Sequence, residues 1–401
     1  MGKKVLLVFN RFYPVLSGSE KFSKMIFDNL KERGFEVDVF TLRVSDDSYR
    51  VNDLNLKREE NIKGSIIKRF SLIDFQYKNR IFKFFENYGI LKYYSLNFKI
   101  VSPSLILNLK KNILKYDIVI TGFLPFTSVI YPALYYSKKY KKKSILIPLL
   151  HSTVPQTERF TYEFFHPYYK SLYEMADILI CLNSAEKEHL KNFGNKIFYL
   201  NSYIDIPEKV STGGNGIFKI LTIGRQNYEK GIETSIKAVK LLYAEFKNIK
   251  FTIVGKIDEK YLRIIKKEEF IEYHPYVTDE EKEDLFLKTD IFILPSIAEA
   301  FGIVSIEAHS YGVPTINSYC WGSTYIVKNG LNGFLIPFGD YLLTYNYLKQ
   351  IYINKKLKKR LSENARNISL KGSDLIEGYC EGPFNKKRFN KQLDKILENL
   401  L

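Results

Sequence analysis

The sequence predicts an α/β protein made of two doubly wound sheets. Three observations carry this reading: apolar, strand-like runs alternate with helical patterns along the chain, the alternation is that of parallel sheets covered on both faces, and a stretch rich in Pro, Gly and Ser divides it into two similar halves. At 401 residues with 45% hydrophobic content, the chain can bury two cores of ordinary size.

The first half opens with KKVLLVFN, a strand ending near Asn10, followed by the glycine-containing loop PVLSGSEK and the helical pattern FSKMIFDNLKERG. After Gly34 comes FEVDVFTL, a second strand, so the opening is a β-loop-α-β unit. Strand runs recur at Tyr116–Gly122, Lys143–His151, Ala176–Ser184 and Lys196–Ser202, with helix-compatible segments between them. IDIPEKVSTGGNGI, Ile204–Ile217, reads as the linker. The second half begins with FKILTIGR, a strand ending in Gly224-Arg225, then the helix TSIKAVKLLYAEF and the strand KFTIVG ending at Gly255. DIFILPS, VPTINS and NGFLIP continue the pattern, and FNKKRFNKQLDKILENLL predicts a C-terminal amphipathic helix. The expected division is a domain over 1–205, a second over 206–375, and a terminal helix over 376–401 that packs back toward the first domain. Two such domains are expected to face each other across a cleft.

The formal charge of +17 is uneven: residues 61–150 hold 16 Lys and Arg against three acids, Asp74, Glu86 and Asp117. Aromatics are mixed into the lysines of Lys78–Ile100, and KKYKKK follows at Lys138–Lys143. Basic and aromatic residues together suit an anionic membrane surface, and a merely solvated lysine-rich face is the alternative. No helix-turn-helix, RNP or zinc-finger pattern supports a nucleic-acid partner. No apolar run reaches the ~18–20 residues of a spanning helix and no cleavage site follows the N-terminus, so the expectation is a chain neither spanning nor secreted. Cys181, Cys320 and Cys380 are few, scattered and without a C-x-x-C pair, which suits a reducing cytoplasm and suggests neither a disulfide framework nor a zinc site.

Chemistry concentrates after DIFILPS, in EAFGIVSIE. The loop at the carboxyl end of a strand is where open α/β sheets bind ligands. Gly302 allows close backbone approach, and the helix starting after it offers free N–H groups to an anion. Glu299 precedes that helix start and Glu307 lies about one and a half turns inside it. Two carboxylates flanking an anion cradle suit a ligand that carries both phosphates and polyol hydroxyls, which describes a nucleotide sugar.

On these residues the chain resembles the GT-B retaining glycosyltransferases of the family 4 type, the group 1 glycosyl transferases. The resemblance rests on S-x-x-E-A-F-G-I-V-x-I-E-A-x-x-x-G-V-P over Ser296–Pro314, on VKNGLNGFLIP over Val327–Pro337, and on GRQNYEKGIE, which resembles the family's G-R-x-x-x-x-K-G. It implies the GT-B fold, two facing Rossmann-like domains with a cleft between them. It also implies that Glu299 contacts the donor sugar, that the backbone of Gly302 and Ile303 after Phe301 holds sugar and phosphate, and that Glu307 binds the ribose. Gly224, Arg225 and Lys230 would hold the donor diphosphate. His151, at the end of KSILIPLLH, stands where the family has a histidine that reaches the donor sugar. Pro14-x-x-Ser17-Gly18-Ser19-Glu20 resembles the family's P-x-x-G-G-x-E with a serine in place of its first glycine, leaving Gly18 where backbone meets the reacting groups. Two further departures are NSYID, Asn201–Asp205, which lacks the usual glycine, and Lys256-Ile257 where a second glycine follows KFTIVG. His166, His189, His274 and His309 read as structural residues without partners.

The function expected from the resemblance is retaining transfer of a hexose-type sugar from a UDP-, GDP- or similar nucleotide sugar to a glycan or lipid-linked acceptor at the cytoplasmic membrane face. No cofactor is expected, and with no D-x-D after a strand nothing demands a metal. The competing readings are a nucleotide-sugar epimerase or hydrolase on the same fold, and a non-catalytic sugar-nucleotide binding protein. An oxidoreductase is disfavoured because no G-x-G-x-x-G follows the first strand.

Overall fold

The computed structural model describes residues 2–15, 17–45, 52–73, 101–151, 167–194, 196–371 and 383–400. The lysine- and aromatic-rich stretch 78–100, His166 and Cys380 lie outside the described residues. The chain divides into two compact units, one of Met1–Leu150, Tyr162–Leu200 and Gln392–Leu401, the other of His151–Thr161 and Asn201–Lys391.

The first unit runs β1 (Lys4–Phe9), α1 (Gly18–Glu32), β2 (Glu36–Leu42), β3 (Glu59–Ile62), β4 (Ser65–Phe70), α2 (Pro103–Asn112), β5 (Ile118–Gly122), α3 (Thr127–Lys139), β6 (Lys143–Ile147), α4 (Pro167–Met175), β7 (Ile178–Cys181), α5 (Ser184–Leu190) and β8 (Lys196–Tyr199). Its sheet has the order β3-β4-β2-β1-β5-β6-β7-β8 and is parallel except for the β3–β4 pair. Every residue of β1 from Val5 to Phe9 is buried. Leu6 and Val8 pack against Leu105 and Leu109 of α2 and Val129 and Ala133 of α3, while the alternate residues enter the opposite face, as strand geometry requires. That double burial explains the continuous apolar run read from the sequence. Helix α1 starts at Gly18, four residues before the pattern read from the sequence, and buries Phe22, Ile26, Phe27 and Leu30 at helical spacing. Helix α2 has Ser102 as N-cap, its hydroxyl accepting from the Leu105 N–H at 3.4 Å, Pro103 in its first turn, and Lys110 and Lys111 in its last.

The second unit runs β9 (Phe218–Ile223), α6 (Ile232–Glu245), β10 (Ile249–Val254), α7 (Glu259–Ile265), β11 (Ile271–His274), α8 (Asp279–Leu287), β12 (Ile291–Leu294), α9 (Ile303–Ser310), β13 (Thr315–Ser318), α10 (Trp321–Ile326), β14 (Gly333–Ile336), α11 (Tyr341–Ile353) and α12 (Lys355–Lys371). The sheet order β11-β10-β9-β12-β13-β14 is parallel throughout. Ile220 faces Val239, Leu242, Leu348 and Ile351 of α6 and α11, whereas its neighbour Leu221 faces Phe286 of α8 and Ala308 of α9. The strand order reverses between β9 and β12, so the loops after these two strands lie at the switch point where doubly wound sheets take ligands.

The last helix, α13 (Lys386–Leu400), carries residues of both units. In its first-unit portion Asp394 pairs with Arg33 at 2.7 Å, and Lys196 donates to the Asn399 carbonyl at 3.3 Å. Among the described residues no helix is long and apolar enough to cross a membrane, and Cys181 and Cys320 are buried free thiols.

Candidate functional site

The site in the second unit starts from the loop after β9. Gly224 closes that strand, Arg225 follows as an exposed residue, and the buried Gln226 ties the loop down: its Nε2 donates to the carbonyls of Gly224 at 2.9 Å and Val254 at 3.1 Å. The Asn227 side chain accepts from the Lys230 N–H at 3.0 Å, which turns the chain toward α6. Gly231 then sits at φ +69 as the N-cap of α6, and a Cβ there would lie 2.1 Å from the Pro295 carbonyl oxygen. Only glycine passes so close to the β12 loop with that backbone. The Ile297 N–H donates to the Glu229 carbonyl at 2.8 Å, so the two loops are joined by their backbones.

Lys230 and Glu299 meet at this junction. The Lys230 Nζ is 2.6 Å from Glu299 Oε1, with 28% of the lysine side chain and 10% of the glutamate side chain exposed. Burial alone would push the Glu299 carboxyl up. The Lys230 ammonium against it and the charge of His151 outweigh that, and the group is held below the ordinary carboxylate value. It is an anion at neutral pH, aimed at a cation that itself remains part-exposed.

Phe301 turns inward: its ring packs against Tyr325 at 6.0 Å and edge-on to Phe384 at 5.6 Å, so this side chain anchors the loop and only its backbone is available to a ligand. Gly302 follows at φ +83 as the N-cap of α9, which places Ile303 and Val304 in the first turn, where N–H groups have no intrahelical acceptor. Glu307, half-buried on α9, pairs with Lys282 of α8 at 3.2 Å. Among the described residues no group of three or more His, Cys, Asp or Glu is placed to hold a metal ion.

The structure therefore brings Lys230 and Glu299 into contact and puts His151 within electrostatic reach of them, while Glu307 is held by a second lysine that sequence reasoning passed over. Lys282, the one lysine of α8 among five acids, lies 25 positions before Glu307, and nothing in the sequence ties it to that glutamate. Gln226 was passed over for the same reason.

In the first unit, Gly18 is the opening residue of α1, and a Cβ built there meets nothing within 4 Å. Ser17 is extended at φ −145, a conformation open to any residue, so serine in place of glycine costs the backbone nothing. Its hydroxyl donates to the Glu20 carboxylate, Ser19 does the same at 3.0 Å, and the Arg11 Nε completes the set at 2.9 Å. Three of the remaining histidines, His189, His274 and His309, do have partners, contrary to the expectation. His274 lies on β11 with its Nε2 2.8 Å from Glu272, and the buried His309 lies 3.2 Å from the Thr315 hydroxyl, its pKa pushed down to about 3 by burial. His189 is packed against the Tyr173 and Phe193 rings.

Residues 209–368 match the family model described as Glycosyl transferases group 1. The capsular polysaccharide biosynthesis glycosyltransferase CapM of Staphylococcus aureus is 27% identical over 158 residues, 38% of this chain and 41% of that protein. The UDP-Gal:alpha-D-GlcNAc-diphosphoundecaprenol alpha-1,3-galactosyltransferase of Escherichia coli is 35% identical over 89 residues, 22% of this chain and 23% of that one. In these alignments the chain spans less than half the length of the curated relatives it matches. The solved structure of Anabaena HepE in complex with UDP and glucose superposes with a TM-score of 0.68 at 14% identity, covering 99% of this chain and 100% of that one. The fold is GT-B, two Rossmann-like α/β domains.

Proposed function

We propose that this chain is a retaining glycosyltransferase of the family 4 type, moving a hexose-type sugar from a nucleotide-diphosphate sugar to a glycan or lipid-linked acceptor at the cytoplasmic membrane face. One observation carries the reading. At the switch point of the second unit a part-exposed lysine, Lys230, is set against a buried carboxylate, Glu299, at the loop that opens into the Gly302 helix start, with Glu307 about one and a half turns further in. The relatives in capsule and lipid-linked glycan synthesis support the substrate class.

As the glycosidic bond breaks, negative charge gathers on the diphosphate. Arg225, Lys230 and the first-turn N–H groups of α9 stabilise it from positions fixed before the reaction. Glu299 accepts hydrogen bonds from the donor sugar, His151 reaches the same sugar, and Gly18 lets backbone approach the reacting groups. Glu299 is engaged by Lys230, which makes it a poor nucleophile. That favours same-face substitution, in which the departing phosphate takes the acceptor hydroxyl's proton, over a covalent glycosyl intermediate. No step in this scheme calls on a metal.

The membrane part of the proposal has its own support. On α2 and the turn after it, Leu107, Lys110, Lys111 and Leu114 are all exposed at helical spacing, and the exposed Tyr131 and Tyr135 of α3 stack at 6.0 Å beside Lys138 and Lys139. Apolar and aromatic side chains among lysines fit an anionic bilayer surface. The expected result is co-sedimentation with vesicles containing phosphatidylglycerol and none with pure phosphatidylcholine, reduced by Leu107→Glu with Leu114→Glu. Equal recovery with both lipids would reduce the lysines to a solvated face.

The test of the donor reading is a thermal-shift panel of UDP, GDP, ADP and CDP on wild type and Glu307→Ala. Selective stabilisation by one nucleotide, lost in the variant, is the expected outcome. Proton NMR of the matching sugar nucleotide then separates transfer from the alternative. Turnover of donor without any acceptor, as epimer or free sugar, would replace the transferase by an epimerase or hydrolase.

A further inference from the structure

Glu307 does not stand alone in its corner of the second unit. The Lys282 Nζ lies 3.2 Å from Glu307 Oε1 and 3.3 Å from Asp279 Oδ1, bridging α8 and α9. The exposures say which partner matters: 19% of the Lys282 side chain and 16% of the Glu307 side chain reach solvent, against 91% of Asp279. An ion pair to a fully solvated aspartate contributes little, whereas one between two mostly buried groups fixes both. Helix α8 holds its position against α9 through Phe286, which is buried and stacks on Tyr311 at 5.2 Å. The N-terminus of α8 is itself locked by a capping box between Thr278 and Glu281. Lys282 is thus presented to Glu307 from a rigid element.

We propose that Lys282 is a positioning residue of the donor site, which holds the Glu307 carboxylate in one rotamer so that it is ready for the two ribose hydroxyls of a nucleoside diphosphate. The proposal rests on the reading of Glu307 as the ribose acceptor. The stereochemistry allows it. An ionised carboxylate offers about four acceptor positions on its two oxygens, of which Lys282 takes one on Oε1. By restraining a glutamate with three rotatable bonds, the lysine lowers the ordering cost that ribose binding has to meet. Burial alone would lower the Lys282 ammonium, and the Glu307 and Asp279 carboxylates more than offset it, so the cation persists across the physiological range.

The experiment compares each of UDP, GDP, ADP and CDP with its 2′,3′-dideoxy form by titration calorimetry, on wild type, Glu307→Ala, Lys282→Met and Lys282→Arg. Wild type is expected to prefer the ribonucleotide, and Glu307→Ala to lose that preference. Lys282→Met should lose about three- to tenfold of it while binding the dideoxy form as wild type does. Lys282→Arg, which restores the cation, should recover most of it. Melting temperatures of all four proteins guard against unfolding, and the arginine variant keeps the test open should the methionine variant melt early. If Lys282→Met keeps the full preference that Glu307→Ala loses, the positioning role is wrong while the ribose reading stands. If wild type shows no preference at all, the ribose reading fails, and the role of Lys282 with it.

Discussion

Each of the two Rossmann-like units sets an ion pair beside the loop that follows its first strand, and the two pairs have different surroundings. In the first unit Arg11 and Glu20 are sealed, with 7% and 0% of their side chains exposed, and two serine hydroxyls also donate to Glu20. In the second unit Lys230 and Glu299 are closer, at 2.6 Å, yet more than a quarter of the lysine faces solvent. A pair sealed from solvent holds a loop together and is out of a ligand's reach. A pair with an accessible cation has room for a third partner, and an anion is the partner that geometry suits.

The largest effect expected from this contrast is on stability. Glu20→Ala leaves the Arg11 guanidinium buried without its counter-charge, which costs about 3–5 kcal/mol and lowers the melting temperature by roughly 10 °C or more. Nucleotide affinity of the folded variant should be unchanged. A melting temperature within a degree or two of wild type would show that the first pair is not structural.

A third buried carboxyl sharpens the comparison because no cation among the described residues pairs with it. Glu186 is fully buried in α5, accepts from the backbone N–H groups of Leu182 at 2.7 Å and Leu150 at 3.0 Å, and burial raises its pKa to about 7 in spite of them. Between about pH 4.5 and 7 the folded chain therefore keeps a proton that the unfolded chain releases, so stability falls as pH rises through that window. The full swing is roughly 3 kcal/mol. Chemical denaturation across that range should show wild type losing stability relative to Glu186→Gln, which cannot titrate. Parallel curves would mean that the carboxyl ionises as it does in water.

Smaller again is the stability cost of Lys230→Met, about 1–2 kcal/mol for an unpaired but slightly hydrated Glu299. The same change should lower donor turnover by about 10²–10³-fold. Adding Glu299→Gln should restore the melting temperature without restoring turnover, which would separate the structural share of the pair from its chemistry. Smallest is Gly302→Ala, at about 1 kcal/mol. The nearest atom to the new Cβ is Ile326 Cδ1 at 3.5 Å, so the penalty is backbone strain at φ +83 rather than a clash. Equal thermal stability of this variant would mean that the helix start relaxes at no cost.

Much of this architecture was legible because strands buried on both faces leave long apolar runs: β1, β5, β6, β9, β10 and β12 were each announced by one. β3, β4 and β11 were not. EENI alternates between exposed and half-buried positions at a sheet edge, and IEYH is a four-residue edge strand with no fully buried residue, so neither leaves an apolar run to read. In the site, Glu299, Gly302 and Glu307 could be located from sequence because a glycine at a strand-to-helix junction marks the turn and the carboxylates are counted from it. Lys282 and Gln226 could not, since their importance comes from what the fold lays beside them, 25 and 28 residues away along the chain.

The most direct measurement is calorimetric titration of the nucleoside diphosphate selected by the thermal-shift panel into wild type and into the Lys230→Met, Glu299→Gln double variant. Wild type should bind it, and the double variant, equally stable, should bind at least about tenfold more weakly because the accessible cation is gone. Equal affinity in the two proteins, or no binding by wild type, would contradict the reading of the second unit as a nucleotide-sugar donor site.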